Sequence, residues 1–491
     1  MSDPRDNEPV SADASPCADS SAGPAALEQN REFEELCQVE TEVADVEAPP
    51  QTVVRRGGTF ESFRNRDFSW FWAGALVSNV GTWMQNYALG IVVYAMRSSS
   101  FDLGAINFII GIPVLFLAIP GGLLADRVDR RRLLIWIQIV LLFQAGALGW
   151  LYNVGTLRGG SNAIPALTWV AALGIIAGVF SALQFPAWQA MLPDLVPRES
   201  LLNGIALNSA QFQSSRLIGP LVAGALVVAG AGMGEIFYVN AASFLFVIAA
   251  LAIIRPRFAL SAEARQSGRR REGAIKTLLG GLEYARQNRA VGTLILSTAI
   301  MTIFGFPYMT LLPAIVDKTL HLAEGTEGYK QGVALIMATN GLGAMVGALS
   351  VASLPSTVRR NRIIPFSLLA FGVSLLAFSL SRSLWLTMVV SAFAGAALMT
   401  TNSLANTSIQ AAAPPQLRGR VMGLFVTAFM GIMPISGLVF GAIGQFIGPS
   451  NAVLIGAVCL ITWSVVLVLR PSWLNPRADE PEPVDGAGSG R

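Results

Sequence analysis

Arg216 is the residue whose chemistry most constrains this chain. It stands about fifteen residues into an apolar run, residues 201–229, roughly 22 Å along a helix at about 1.5 Å per residue. A guanidinium at that depth in hydrocarbon costs at least ~2.5 kcal/mol, so it needs a partner, a water-filled cavity or an anionic ligand. Gln213 precedes it by one turn on a neighbouring face. Two stripes of neutral polar residues accompany them. Asn79, Trp83 and Asn86 recur at i, i+4 and i+7 in one apolar run, and Asn402, Asn406 and Gln410 at i, i+4 and i+8 in another. Each set falls on one helical face. Gln184 stands beside Phe185-Pro186 in a third run. Such groups can bind a polar solute at membrane depth, or tie helix to helix at about 0.6 kcal/mol a pair. Both readings stay open for any one amide; the two stripes together point to the lining of a cavity.

Other chemistries have little to work with. The chain has one histidine, His321, and three cysteines, Cys17, Cys37 and Cys459, all far apart. Neither a metal set nor a disulfide framework follows. Asp102, Glu235 and Asp317 fall near the ends of apolar runs rather than deep within them, so acid–base catalysis at membrane depth lacks its groups. There is no Gly-x-x-x-x-Gly-Lys-Ser/Thr phosphate loop, and ATP drive within this chain is not expected. The expectation is a protein that is not an enzyme and holds no cofactor.

The elements that carry these residues are long and apolar. The chain is 53% hydrophobic and 13% charged, with a mean hydropathy of +0.54; soluble domains average about 25% charged. Twelve runs are each about long enough to cross a bilayer as a helix. They cover residues 68–96, 103–124, 133–154, 164–190, 201–229, 234–254, 291–316, 331–353, 363–381, 384–411, 420–446 and 451–470. Charge alternates between their connections. Arg127, Arg130, Arg131, Arg132, Arg198, Arg359, Arg360, Arg362, Arg418, Arg420, the segment 255–289 and the flanks of the bundle put 25 basic residues on one side. The other side has five: Arg97, Arg158, Lys318, Lys330 and Arg382. By the positive-inside bias the rich side is cytoplasmic, with both termini there, in a multi-pass protein of the cell membrane. The basic excess is thereby explained without nucleic acid.

Regions outside the runs differ in kind. Residues 1–62 form an acidic cytoplasmic tail, with 13 acidic and 2 basic residues among the first 50, a composition that predicts disorder. A second tail covers 472–491. Residues 63–255 and 291–471 each hold six runs, and 256–290 join them as a basic linker. Within the linker, residues 276–289 fit an amphipathic helix with Leu278, Leu279, Leu282 and Ala285 toward lipid and arginines toward anionic headgroups. An ordinary linker is the competing reading. Gly343…Gly347 and Gly437…Gly441 have the spacing of close helix contacts, read here as packing within a monomer.

The turn Gly121-Gly122-Leu123-Leu124-Ala125-Asp126-Arg127-Val128-Asp129-Arg130-Arg131-Arg132 resembles the signature turn between helices two and three of the major facilitator superfamily. Gly122, Asp126, Arg127, Arg130 and Arg131 carry the match; Asp129 stands where a glycine is usual. Arg216 to Gly224, with Gly219-Pro220 and Gly224, resembles the antiporter motif of helix five in exporters of that superfamily, with Ala223 at the expected second glycine. Arg64-Asn65-Arg66-Asp67-Phe68, Val80 to Gln85, Pro186 to Ala190, Pro193 to Arg198 and Leu417 to Met422 resemble the bacterial branch of enterobactin-exporter-like proteins, which spans siderophore and drug exporters.

The resemblance implies an all-α membrane protein of twelve transmembrane helices in two six-helix halves, with a substrate site near the midplane. Helices one, four, seven and ten would line it, adding Thr302 and Tyr308 from span seven to the polar stripes. Asp126 would meet the positive N-terminus of helix eleven, near Arg418 and Arg420, when the cytoplasmic side closes; such a pairing is worth about 0.3–1 kcal/mol. The function implied is ion-coupled, proton-driven export of a small molecule by alternating access. An uncoupled facilitator and a lipid-moving protein remain as alternatives.

Overall fold

The computed structural model describes residues 60–157, 163–254, 274–355, 360–414 and 417–474. Gly57–Arg491 form one compact unit; the second unit, Met1–Arg56, lies outside the described residues, as do 475–491 of the second tail and 255–273 of the linker. The inner ends of the two segments read as disordered tails are ordered instead: Glu61–Arg64 and Pro471–Leu474 are short helical turns, with Ser62 and Leu474 buried against the bundle. Among the described residues the secondary structure is entirely helical. The first six long helices are α1 (Arg66–Arg97), α2 (Ser100–Arg127), α3 (Arg130–Asn153), α4 (Ala163–Met191), α5 (Leu201–Val228) and α6 (Met233–Ile253). After the linker come α7 (Ala274–Gln287), α8 (Arg289–Gly305), α9 (Glu327–Ala352), α10 (Arg360–Leu380), α11 (Leu384–Ala412), α12 (Arg418–Val426), α13 (Met433–Ile447) and α14 (Pro449–Leu469).

Local chemistry sets several of the boundaries. Asp129 caps α3, its side chain accepting from the Arg132 N–H at 3.0 Å. Asn288 caps α8 and Thr326 caps α9 in the same way. Each cap satisfies one of the N–H groups that a helix start leaves open. Ser98, in the left-handed region at φ 48°, closes α1. Span seven is not the continuous helix expected over 291–316. It breaks at Phe306 and Leu311 into α8 and two short turns, Pro307–Thr310 and Leu312–Lys318, because Pro307 and Pro313 each remove a backbone donor. Span eleven is likewise divided: a π-turn, Thr427–Gly431, joins α12 to α13.

Ten stretches are long and apolar enough to cross a membrane, among the described residues. The two long helices outside that set are α1, of 32 residues, and α5, of 28. Length does not disqualify them. They are the helices that carry Asn79, Thr82, Gln85 and Asn86, and Asn203, Asn208, Gln211, Gln213 and Arg216. Outward faces are apolar elsewhere: Trp136, Phe143, Trp385 and Phe393 are all more than three-fifths exposed. An apolar exterior on this scale marks a surface built for lipid, and the protein is an integral, multi-pass membrane protein.

Helices before residue 254 pack chiefly on one another: α1 on α5 and α6, α2 on α4, α3 on α4 and α6. Those after residue 289 do the same, α9 with α11, α10 with α11 and α14, α13 with α14. The groups meet chiefly along two pairs, α5 with α9 and α2 with α13, with lesser contacts between α1 and α9. Small residues let these seams close. A Cβ on Gly341 would sit 2.8 Å from the Arg216 backbone, and one on Gly441 3.0 Å from the Gly104 Cα.

Candidate functional site

Arg216 anchors the middle of the α5–α9 seam. Its side chain is buried, and Nη2 donates to Asn340 Oδ1 of α9 at 2.6 Å. Asn340 Nδ2 in turn donates to the Tyr308 hydroxyl at 2.5 Å and to the Ser391 carbonyl of α11 at 3.0 Å. Ser391 Oγ donates back to the Ile336 carbonyl at 3.2 Å. The guanidinium lies 5.6 Å from the centre of the Trp83 ring on α1, close enough for the ring's negative face to attract it. Trp83 meets Phe212 edge to face at 6.3 Å, and Tyr308 stands edge-on to Phe371 and Phe378. Residues of five helices and the break after α8 therefore gather around one charge, with Asn340 and Trp83 in contact with it.

The charge is only partly answered. Its described partners are a neutral amide and a ring, while Nε is buried with no acceptor among the described residues. A buried donor left open costs about 1–3 kcal/mol, so this edge is suited to an acceptor that arrives from outside the protein. The geometry fits Gly219 and Gly224 into the same arrangement. A Cβ on Gly219 would strike Trp83 and, at 2.9 Å, the Val80 carbonyl; one on Gly224 would come within 2.9 Å of Ala334. Gly219, beside buried Pro220, thus seats α5 on α1, and Gly224 seats it on α9.

Other residues singled out in the sequence are distributed unevenly about this centre. Trp83 and Tyr308 belong to it. Asn79, Gln184 and Gln213 are half-buried, and Asn86 is exposed one turn beyond Trp83. Thr302 is fully buried, and its hydroxyl donates to the Thr298 carbonyl of its own helix, which commits the proton and leaves the oxygen as an acceptor only. On α11, Asn402 Oδ1 is buried without a partner, while Gln410 is exposed and donates to Asn406 Oδ1 at 2.9 Å. Asn340 was not anticipated. Its signal was available: it is the one amide deep within residues 331–353. Gln85, which shares α1 with the first stripe, turns away, accepting from Asn240 of α6 at 2.8 Å.

One end of the bundle is tied across both groups of helices. Tyr87 donates to the Lys330 carbonyl at 3.0 Å, Tyr94 to Asp317 Oδ2 at 2.8 Å, and Ser98 to Glu324 Oε2 at 2.7 Å. Gln445 accepts from the Ser100 N–H at 3.0 Å, and the Tyr94 and Tyr329 rings stack. The arginine turns lie at the other end. There Arg130 donates to the Ala190 carbonyl and pairs with Asp194 at 3.1 Å, while Arg131 donates to the Leu251 and Ala252 carbonyls. Both arginines clamp the first group of helices internally. The backbone of Gly122, Asp126 and Arg127 forms the last turns of α2, but their side chains lie outside the described residues. Arg418 is exposed at the start of α12, and Arg420 lies against Gly280 and Gly281 of α7.

Comparison with known proteins agrees with this picture. Residues 57–481 match the family of transmembrane secretion effectors. The enterobactin exporter EntS of Escherichia coli O6:K15:H31 (strain 536 / UPEC) is 24% identical over 416 residues, 84% of this chain and 94% of that protein. EntS of Citrobacter koseri is 24% identical over 415 residues, again 84% of this chain and 93% of that protein. The fold is similar to the nucleoside transporter NupG (D323A mutant), with TM-score 0.65 and 11% identity over 82% of this chain and 99% of that one. A bacterial homologue of the iron transporter ferroportin in its inward-facing state gives TM-score 0.59 at 16% identity, covering 81% and 98%.

Proposed function

Because the chain belongs to the transmembrane secretion effector family of the major facilitator superfamily and is a membrane transporter, not an enzyme, we propose that it is a secondary exporter of small anionic or polar molecules. In this reading α1 and α5 join the ten apolar stretches as crossings, giving twelve in two groups of six. The arginine turns face the cytoplasm, where 25 of the basic residues gather. Substrate contacts the centre between the groups, and the groups rock about it to expose first one face and then the other. An ion gradient, with the proton as the coupling ion, supplies the drive. The relatives named as enterobactin exporters support the outward direction and a siderophore-like or drug-like substrate.

The observation that carries this reading is Arg216. It holds a positive charge at the seam, answered by a neutral amide, with one donor open and an aromatic face beside it. A purely structural cation in that position would be expected to have its donors met by a carboxylate or by backbone carbonyls, and neither is among its described partners. An anionic group on the substrate can complete the guanidinium's bonds, and its departure restores the bond to Asn340 alone. Asn79, Gln184, Gln213 and Asn402 then provide adaptable polar contacts around a charged anchor.

Transport into inside-out vesicles tests the reading. A panel of siderophores and drugs should reveal substrates taken up only while an ion gradient persists, with uptake abolished by an ionophore. Flux that ignores the gradient would reduce the protein to a facilitator, and no flux across the panel would remove the export reading. Asp126→Asn, at the turn that would close against α12, is expected to slow uptake while insertion stays normal.

A further inference from the structure

Among the described helices, α7 is the most sharply two-sided. One side is committed to protein. A Cβ on Gly281 would fall 2.6 Å from the Arg420 carbonyl, Tyr284 donates to the Ala412 carbonyl at 3.2 Å, and Ala285 is buried rather than facing lipid. The other side is open: Leu279 is 59% and Leu282 37% exposed. Arg286 follows Leu282 by four positions and Leu279 by seven, so all three share a stripe. A single residue, Asn288, separates α7 from the membrane-crossing helix α8. The open stripe is therefore held where hydrocarbon gives way to headgroups.

Its charge fits that location. Arg286 on α7, Arg289 at the start of α8 and Arg418 at the start of α12 are all exposed. The Arg289 guanidinium sits 5.1 Å from the Trp473 ring centre, an aromatic of the kind that settles at membrane interfaces. Glu283 is the one exposed carboxylate on the described face of α7, and Gln287 donates to it at 3.5 Å. We infer that α7, with α12 and the first turn of α8, forms a docking surface for anionic phospholipid on the arginine-turn side of the membrane. Leu279 and Leu282 enter the acyl boundary, and the arginines engage headgroup phosphates.

The surface is independent of any substrate, so its test reads lipid rather than transport. Full-length protein carrying a nitroxide on Leu282→Cys, with Cys17, Cys37 and Cys459 replaced by serine, is reconstituted in vesicles of phosphatidylcholine alone or phosphatidylcholine with phosphatidylglycerol at about 3:1. The label should show the oxygen accessibility of the acyl boundary and sit deeper when phosphatidylglycerol is present. Preference for spin-labelled phosphatidylglycerol over phosphatidylcholine should fall about fivefold for each arginine removed in Arg286→Gln and Arg418→Gln, since a basic side chain near an anionic surface contributes about that factor. Water-like accessibility of position 282 in both membranes, or an unchanged lipid preference in the double variant, would overturn the proposal. Leu279→Ser, which keeps the buried side of α7 intact, should lose depth without losing the fold.

Discussion

At the scale of single residues, Arg216 was legible because a charge inside an apolar run demands a partner, and the identity of that partner was not. Asn340 lies 124 positions away, and no local pattern of sequence reports a contact at that distance. Thr302 shows a related limit: that its hydroxyl proton is committed to its own helix is a matter of rotamer, which the span does not report. Two outcomes follow from the bonds themselves. Replacing Asn340 with leucine leaves the buried guanidinium without its amide acceptor, a loss of about 1.5–3 kcal/mol for a bond to a charged group. Thermal unfolding of the purified protein should fall accordingly, and Arg216→Met in the same background should restore part of it, as removal of both partners usually does. Unchanged stability in Asn340→Leu would show that the bond holds nothing. Arg216→Gln, by contrast, should cut uptake of anionic substrates well below that of neutral ones; equal losses would assign the arginine to architecture alone.

Elements were read better than contacts. Existence and approximate extent of the apolar runs follow from composition, and the breaks after α8 are explained by Pro307 and Pro313, both visible in advance. The spacings Gly343…Gly347 and Gly437…Gly441 do mark close helix contacts, against Ala392 and Ala396 and against Gly104; which helix each would meet was not visible. Gly104 faces the Gly437 and Gly441 backbone across the α2–α13 seam, whereas a Cβ on Gly146 would meet nothing within 4 Å. Gly104→Val should therefore wedge the seam and raise thiol labelling of a cysteine placed at Ala442, while Gly146→Val should leave labelling at its starting level. Equal behaviour of the two variants would mean the seam does not depend on close backbone approach. The same reasoning applies to α7: Gly281→Val is expected to detach it from α12, seen as protease sensitivity of the segment before α8 in an otherwise folded protein.

For the whole molecule, hydropathy marks ten of the long apolar stretches and falls short at two helices. The polar residues that make α1 and α5 interesting also make them the two long helices outside the ten apolar stretches, so function and membrane signal compete in the same segments. Accessibility tagging should place Arg131 and Arg360 on one face of the membrane and Lys318 on the other. Tags at 131 and 360 on opposite faces would undo the two-group reading. The tied end offers a second check. Tyr87→Phe with Tyr94→Phe removes two of its hydrogen bonds and should increase labelling of a cysteine at buried Val333 at least severalfold, since each such bond contributes about 0.5–1.5 kcal/mol.

Those hydroxyls also say something about timing. A barrel buttoned along one rim has a preferred posture, and leaving it means undoing several fasteners together rather than one after another. Turnover in such a machine would then be set by the unbuttoning step, so cargoes of quite different size should share a common speed limit while differing in how readily they are caught.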